Sequence, residues 1–124
     1  MSSDTHITGI RTVSIRVEDQ EAALRFYVDV LGFTLVRDMP NPTGRWIELA
    51  PAADGSIVTL EPAASDVTRG MIGIRFTTDD IDATHDSLAN HGVQVEEILR
   101  WPGVPPMFEF RDPDGNAFSV TETL

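Results

Sequence analysis

Hydrophobic and polar positions alternate through residues 10–17, with Val13, Ile15 and Val17 on one side and Thr12, Ser14 and Arg16 on the other. A period of two predicts a strand half-buried against a core. The period then lengthens. Asp19 stands where an N-cap belongs, and Ala23, Phe26, Tyr27, Val30 and Leu31 recur at helical spacing before Gly32, which predicts an amphipathic helix marked at both ends. Residues 33–37, 45–50 and 56–61 read as three further strands, separated by a loop of turn formers at 38–44 and by the hairpin signal Asp54-Gly55.

After a connector at residues 62–70 the same order begins again. Ile72, Ile74 and Phe76 alternate with Gly73, Arg75 and Thr77, a helix is expected over 80–91 with Gly92 as its stop, and strands are expected at 93–99, 107–111 and 116–121. Asp19 corresponds to Asp80, Gly32 to Gly92, Glu48 to Glu109 and Asp54-Gly55 to Asp114-Gly115, at offsets of 60 or 61 residues. This is an internal repeat, and it governs the architecture. One strand-helix-strand-strand-strand unit cannot hide its own sheet. The expected fold is therefore α+β, a single domain over residues 1–124 made of two βαβββ repeats at about 7–62 and 71–122. The repeats are expected to form one curved eight-stranded mixed sheet, with a concave cleft on the more polar face and the helices on the convex side.

Composition narrows the functional classes. Nine arginines and no lysine stand against twenty acidic residues, for a net charge of −11 and a pI near 4.4. Such a chain repels phosphate backbones and anionic membranes, so no nucleic acid and no membrane partner is expected. Cysteine is absent, which removes disulfide scaffolds, thiol nucleophiles and thiolate metal sites. The first residues form no basic or apolar run, and no apolar stretch approaches 18 residues. A soluble cytoplasmic protein is the expectation.

The runs Arg16-Val17-Glu18-Asp19, Phe26-Tyr27-Val28-Asp29-Val30-Leu31-Gly32-Phe33, Thr78-Asp79-Asp80-Ile81-Asp82-Ala83 and Phe110-Arg111-Asp112-Pro113-Asp114-Gly115-Asn116 resemble the vicinal oxygen chelate superfamily. That group includes glyoxalase I, extradiol dioxygenases and the fosfomycin- and bleomycin-resistance proteins. The resemblance implies metal ligands, His or Glu, on the first, fourth, fifth and eighth strands. In this chain those positions fall on Thr12, Thr59, Gly73 and Ser119, none of them a competent ligand. The three histidines are His6 near the start and His85 and His91 on the second helix, six residues apart and so not on one helix face. No metal and no other cofactor is expected.

The residues expected to line the cleft are Thr12, Ser14, Arg16, Trp46, Glu48, Thr59, Glu61, Arg75, Trp101, Met107, Glu109 and Ser119. Glu48 and Glu109 are the candidates for catalysis, as a general base, or for binding a cation. Against that stands plain pairing with Arg16 and Arg75 on the same face. Trp46 and Trp101 adjoin Pro/Gly-rich loops and suit stacking on a planar ligand, or packing in a dimer. His85 reads as a packing residue and Asp112-Pro113-Asp114-Gly115 as turn chemistry. The function expected is a metal-free, bleomycin-resistance-like protein that binds a small cationic or aromatic molecule, in a cleft completed by a homodimer partner. The alternative is a glyoxalase-like lyase or isomerase using a cleft glutamate as base or an atypical metal site, and a third is a module acting through its dimer surface.

Overall fold

The structure, a computed structural model, describes residues 5–53, 55–63 and 70–123. The first repeat comprises β1 (Val13–Val17), α1 (Gln20–Arg25) running on into a π-helical turn (Phe26–Val30), β2 (Thr34–Asn41), β3 (Gly44–Ala50) and β4 (Val58–Pro62). The second comprises β5 (Met71–Thr78), α2 (Ile81–Asn90), β6 (Gln94–Val95), β7 (Met107–Arg111) and β8 (Ala117–Glu122). The α+β architecture of two βαβββ repeats is as expected. Hydrogen bonding divides the eight strands into two four-stranded mixed sheets, ordered β1-β4-β3-β2 and β5-β8-β7-β6. In each, the first strand of the repeat runs parallel to the last and the other neighbours are antiparallel.

Both helices start where their caps place them. The Asp19 carboxylate accepts from the Ala22 N–H at 3.1 Å and that of Asp80 from the Ala83 N–H at 3.0 Å, each filling an orphan donor of a first turn. Gln20 docks α1 on the first sheet, its amide donating to the carbonyls of Arg45 and Leu60 at 2.6 and 2.8 Å. Strand limits differ from the alternation at three places. β1 begins only at Val13, leaving residues 10–12 outside the sheet. β2 continues to Asn41, so the expected loop at 38–44 shrinks to a tight hairpin in which Pro40 pairs with Arg45. Pro40 is tolerated because β2 is an edge strand. β6 is cut to two residues, since after Val95 only Glu96 N–H to Glu109 O, at 2.8 Å, and an isolated bridge from Leu99 to Met107 continue the ladder. Asp54 of the expected Asp54-Gly55 turn, and residues 64–69 of the connector, lie outside the described residues.

The apolar faces of both sheets and the inner faces of both helices feed one core. Ile15, Val17, Ile47, Leu49 and Leu60 from the first sheet and Phe108, Phe110, Phe118 and Val120 from the second are buried, with Ala23, Tyr27, Ile81 and Leu88 from the helical segments. Each fully buried large side chain contributes about 1.5–3 kcal/mol. Rings cross from one repeat to the other: Tyr27 meets Phe118 edge-on at 6.3 Å and Phe33 meets Phe76 at 5.4 Å. Four residues expected in the core are only partly so. Val13 is exposed, and Ile72, Ile74 and Phe76 are half-buried; Val13, Ile74 and Phe76 border an open groove that Val30, Leu31 and Phe33 also line. With both apolar faces turned to a shared core, each polar face lies on the far side of its own sheet.

The repeats are clipped together by polar groups under that core. The Tyr27 hydroxyl donates to Asp112 Oδ2 at 2.7 Å, and the Asn116 side-chain amide donates to the same atom at 2.9 Å. Asp112 Oδ1 accepts the backbone N–H groups of Asp114 and Asn116, both at 2.9 Å. The Asn116 amide also donates to the Arg16 carbonyl on β1 at 2.9 Å, and the Glu18 N–H donates to Asp114 Oδ1 at 2.9 Å. Burial, and then the Asp112 carboxylate beside it, push the Tyr27 phenol far above its ordinary value of 10.0. A raised phenol pKa adds stability that is complete below the ordinary value and is lost as pH climbs past it, because the unfolded chain ionises first. Tyr27 is the only tyrosine, so tyrosinate absorbance reports on it alone. That absorbance is expected to stay silent above about pH 10 and to appear only together with the loss of far-UV circular dichroism. Tyr27→Phe is expected to cost about 1–2 kcal/mol in urea unfolding, and Asp112→Ala, which orphans several buried donors, about 3 kcal/mol or more.

Candidate functional site

The polar face of the first sheet is organised in rows that run across its strands. Arg37 on β2, Glu48 on β3, Thr59 on β4 and Ser14 on β1 stand opposite one another in sequence of strands. A bulge in β2 between Leu35 and Arg37 brings Arg37 into that row. Glu48 is buried and paired. Its Oε2 accepts from the Trp46 indole N–H at 2.9 Å and from Arg11 Nη1 at 2.8 Å, while Oε1 faces Arg37 Nε at 3.6 Å. The indole bond foremost, with the two guanidinium groups, outweighs burial and holds this carboxyl below its ordinary value of 4.5. Glu61 is occupied too, by the Ser14 hydroxyl and by Thr59 Oγ1 at 3.3 Å.

The second sheet repeats the row with different chemistry. Arg75 on β5, Ser119 on β8 and Glu109 on β7 are cross-strand neighbours. They border a cavity of about 730 Å³, with Met71, Gly73, Leu99, Met107 and Phe108 making up the rest of its lining together with Glu96 and Glu97. Gly73 gives the cavity its shape. Met71 pairs with Ala117 but Arg75 with Ser119, so β5 carries two extra residues there, and Gly73 takes φ 87° within that irregular stretch. A Cβ at Gly73 would meet nothing within 4 Å. Among the described residues the ion-pair partner of Glu109 is Arg111, at 3.6 Å, and about a third of the glutamate side chain stays exposed.

Residues 6–120 match the model of the Glyoxalase/Bleomycin resistance protein/Dioxygenase superfamily. The chain belongs to that superfamily. Among solved structures, it is similar to TnmS3, described as an antibiotic binding protein from Streptomyces sp. CB03234, at 31% identity and TM-score 0.84, covering 97% of this chain and 99% of that one. It is similar as well to a superfamily member from Sphaerobacter thermophilus DSM 20745, at 33% identity and TM-score 0.85, covering 94% and 98%. The uncharacterized protein YetH of Bacillus subtilis (strain 168) is 30% identical over 122 residues, 94% of this chain and 99% of that protein.

The positions to which the resemblance assigns metal ligands hold two threonines, a serine and a glycine, and among the described residues no group of three or more His, Asp or Glu side chains could hold a metal ion. The residues present do not fit a tightly bound divalent cation. Of the expected cleft residues, Arg75, Met107, Glu109 and Ser119 come together at the cavity, whereas Ser14, Arg16, Trp46, Glu48, Thr59 and Glu61 belong to the other sheet. Thr12 precedes β1, and Trp101 sits exposed on its loop outside the cavity lining, where Leu99 stands instead. Glu48 pairs with Arg11 and Arg37 rather than with Arg16, and no ion pair joins Glu109 to Arg75. His85 packs as expected, edge-on to Phe108 at 5.0 Å with Nε2 on the Glu96 carbonyl at 2.9 Å. Arg11 escaped the alternation because it lies before the strand begins, and Arg37 because a bulge resets parity, which no local pattern announces.

A lowered carboxyl pKa adds stability that is complete above the ordinary value and is lost as pH falls through the folded one. Glu48→Gln is therefore expected to melt below the parent chain at about pH 7, with the gap closing towards about pH 3. A gap independent of pH would contradict the ion pairing described here.

Proposed function

We propose that this chain is a cytoplasmic binding protein that takes a small aromatic cation, without a catalytic metal, into a cleft shared between two copies of itself. The observation that carries the reading is the composition of the cavity on the second sheet. Its floor of Met71, Leu99 and Met107 suits an apolar planar body, and its three glutamates, Glu96, Glu97 and Glu109, outnumber Arg75. The antibiotic-binding neighbour TnmS3 and a glyoxalase/bleomycin resistance protein from the same Streptomyces strain, 33% identical with TM-score 0.76, support small-molecule binding.

Two features support the second copy. The cavity is walled by the second repeat alone, while Trp46 and its row lie on the other sheet, beyond the shared core. The faces are also complementary in charge: Arg11, Arg16 and Arg37 exceed Glu48 and Glu61 on the first, and acidic groups prevail around the cavity of the second. Exposed Met39 and Trp46 on one face and Met71 and Leu99 on the other supply apolar area for such a joint. A second reading, a lyase or isomerase, rests on the row Arg75-Ser119-Glu109, where Glu109 would abstract a proton and Arg75 stabilise the resulting enolate.

Calorimetric titration with ethidium, a planar aromatic cation, is expected to show saturable binding, weakened about tenfold in Glu97→Gln/Glu109→Gln and absent for a neutral anthraquinone. Sedimentation is expected to report about twice the 13.6 kDa chain mass. A strict monomer that still binds ethidium overturns the shared cleft. Stoichiometric binding of nickel, zinc, manganese or iron(II) with lyase or dioxygenase turnover overturns the metal-free reading.

A further inference from the structure

Trp46 and Glu48 are two residues apart on β3 and so share its polar face. Their exposure differs sharply: Glu48 is 3% exposed and Trp46 36%. A carboxylate this deep needs donors, and it has an indole N–H at 2.9 Å, Arg11 at 2.8 Å and Arg37 at 3.6 Å. Both arginines keep half or more of their side chains in solvent, 68% for Arg11 and 50% for Arg37. They neutralise the carboxylate without being buried themselves. The indole nitrogen is a donor with a single hydrogen. Committing that hydrogen to Glu48 Oε2 fixes the edge of the ring against the sheet and removes the only polar demand of an otherwise apolar surface.

We infer that Glu48 is a positioning residue: it pins Trp46 by its N–H edge, so that the open part of the indole is a rigid stacking surface in the wall of the cleft. Arg11 and Arg37 keep the carboxylate ionised and in place. This assigns Glu48 a role other than general base, since both of its oxygens already face donors. It rests on the binding reading for what the surface receives, while the pinning itself is a property of the ligand-free chain.

In a Trp101→Phe background Trp46 is the sole tryptophan. Glu48→Gln leaves the indole an acceptor oxygen; Glu48→Met keeps the bulk and removes the acceptor. In ligand-free protein with native circular dichroism, acrylamide quenching of Trp46 is expected to rise about twofold with red-shifted emission in Glu48→Met, and to stay near the parent in Glu48→Gln. The ethidium Kd is expected to rise about tenfold in Glu48→Met and to return to within about threefold in Glu48→Gln. Should Glu48→Met fail to fold, Arg11→Ala/Arg37→Ala, which alters exposed side chains, carries the same expectation of raised quenching. Quenching and emission equal to the parent in the variant that folds overturns the pinning, even when ethidium binds. Expected quenching with no ethidium bound to the parent upholds the pinning and overturns the binding reading.

Discussion

A single buried carboxylate holds this molecule in its shape. Asp112 belongs to the last hairpin of the second repeat, yet it accepts the hydroxyl of Tyr27 from the first repeat, the side-chain amide of Asn116 and two backbone N–H groups. A carboxyl group in a core is tolerated only when its oxygens find hydrogen-bond partners. All four donors must therefore arrive together, and they arrive from both repeats. Asn116 extends the same network to the Arg16 carbonyl on β1. The rings that cross between repeats, Tyr27 on Phe118 and Phe33 on Phe76, then pack around an alignment that polar groups have set. That alignment turns the two polar faces away from one core, and the partition of the candidate site follows from it.

The repeats are alike in backbone and unlike in chemistry. Glu48 and Glu109 occupy corresponding positions, each opposite a hydroxyl residue on the neighbouring strand, Thr59 in one case and Ser119 in the other. Around Glu48 the bulge in β2 brings Arg37, the segment before β1 brings Arg11, and β3 itself supplies the Trp46 indole. Around Glu109 the irregular stretch at Gly73 opens space instead, and Arg111 is the neighbouring cation. One carboxylate has become architecture, and the other faces a cavity. The two units differ in this way without differing in fold, because the differences lie on the polar face of each sheet and leave the shared apolar core unchanged.

The charge of −11 takes on a finer meaning in this setting. Asp19 and Asp80 cap helices, Asp38 and Glu21 share Arg45, Asp82 meets Arg100, and Asp112 is internal. These groups serve structure or solvation. Glu96, Glu97 and Glu109 are the acidic side chains that border the cavity on the second sheet, so a small subset of the charge faces that cavity.

Much of this was legible in the chain itself. The alternation of Ile15 and Val17, the helical spacing of Ala23 and Tyr27, the caps Asp19 and Asp80 and the offset of about 60 residues determined two βαβββ repeats, because burial periodicity and capping are local properties that short stretches of sequence express directly. The residue types at Thr12, Thr59, Gly73 and Ser119, hydroxyls and a glycine, are likewise a matter of residue identity. The partners of Glu48, the joining of Tyr27 to Asp112 across 85 residues and the placing of Trp46 and Met107 on different walls were decided only by the tertiary structure. The reason is physical. A buried charge is satisfied by whichever donors the packed chain brings within 3 Å or so, and bulges reset which face a side chain takes, so neither outcome is encoded in any local pattern.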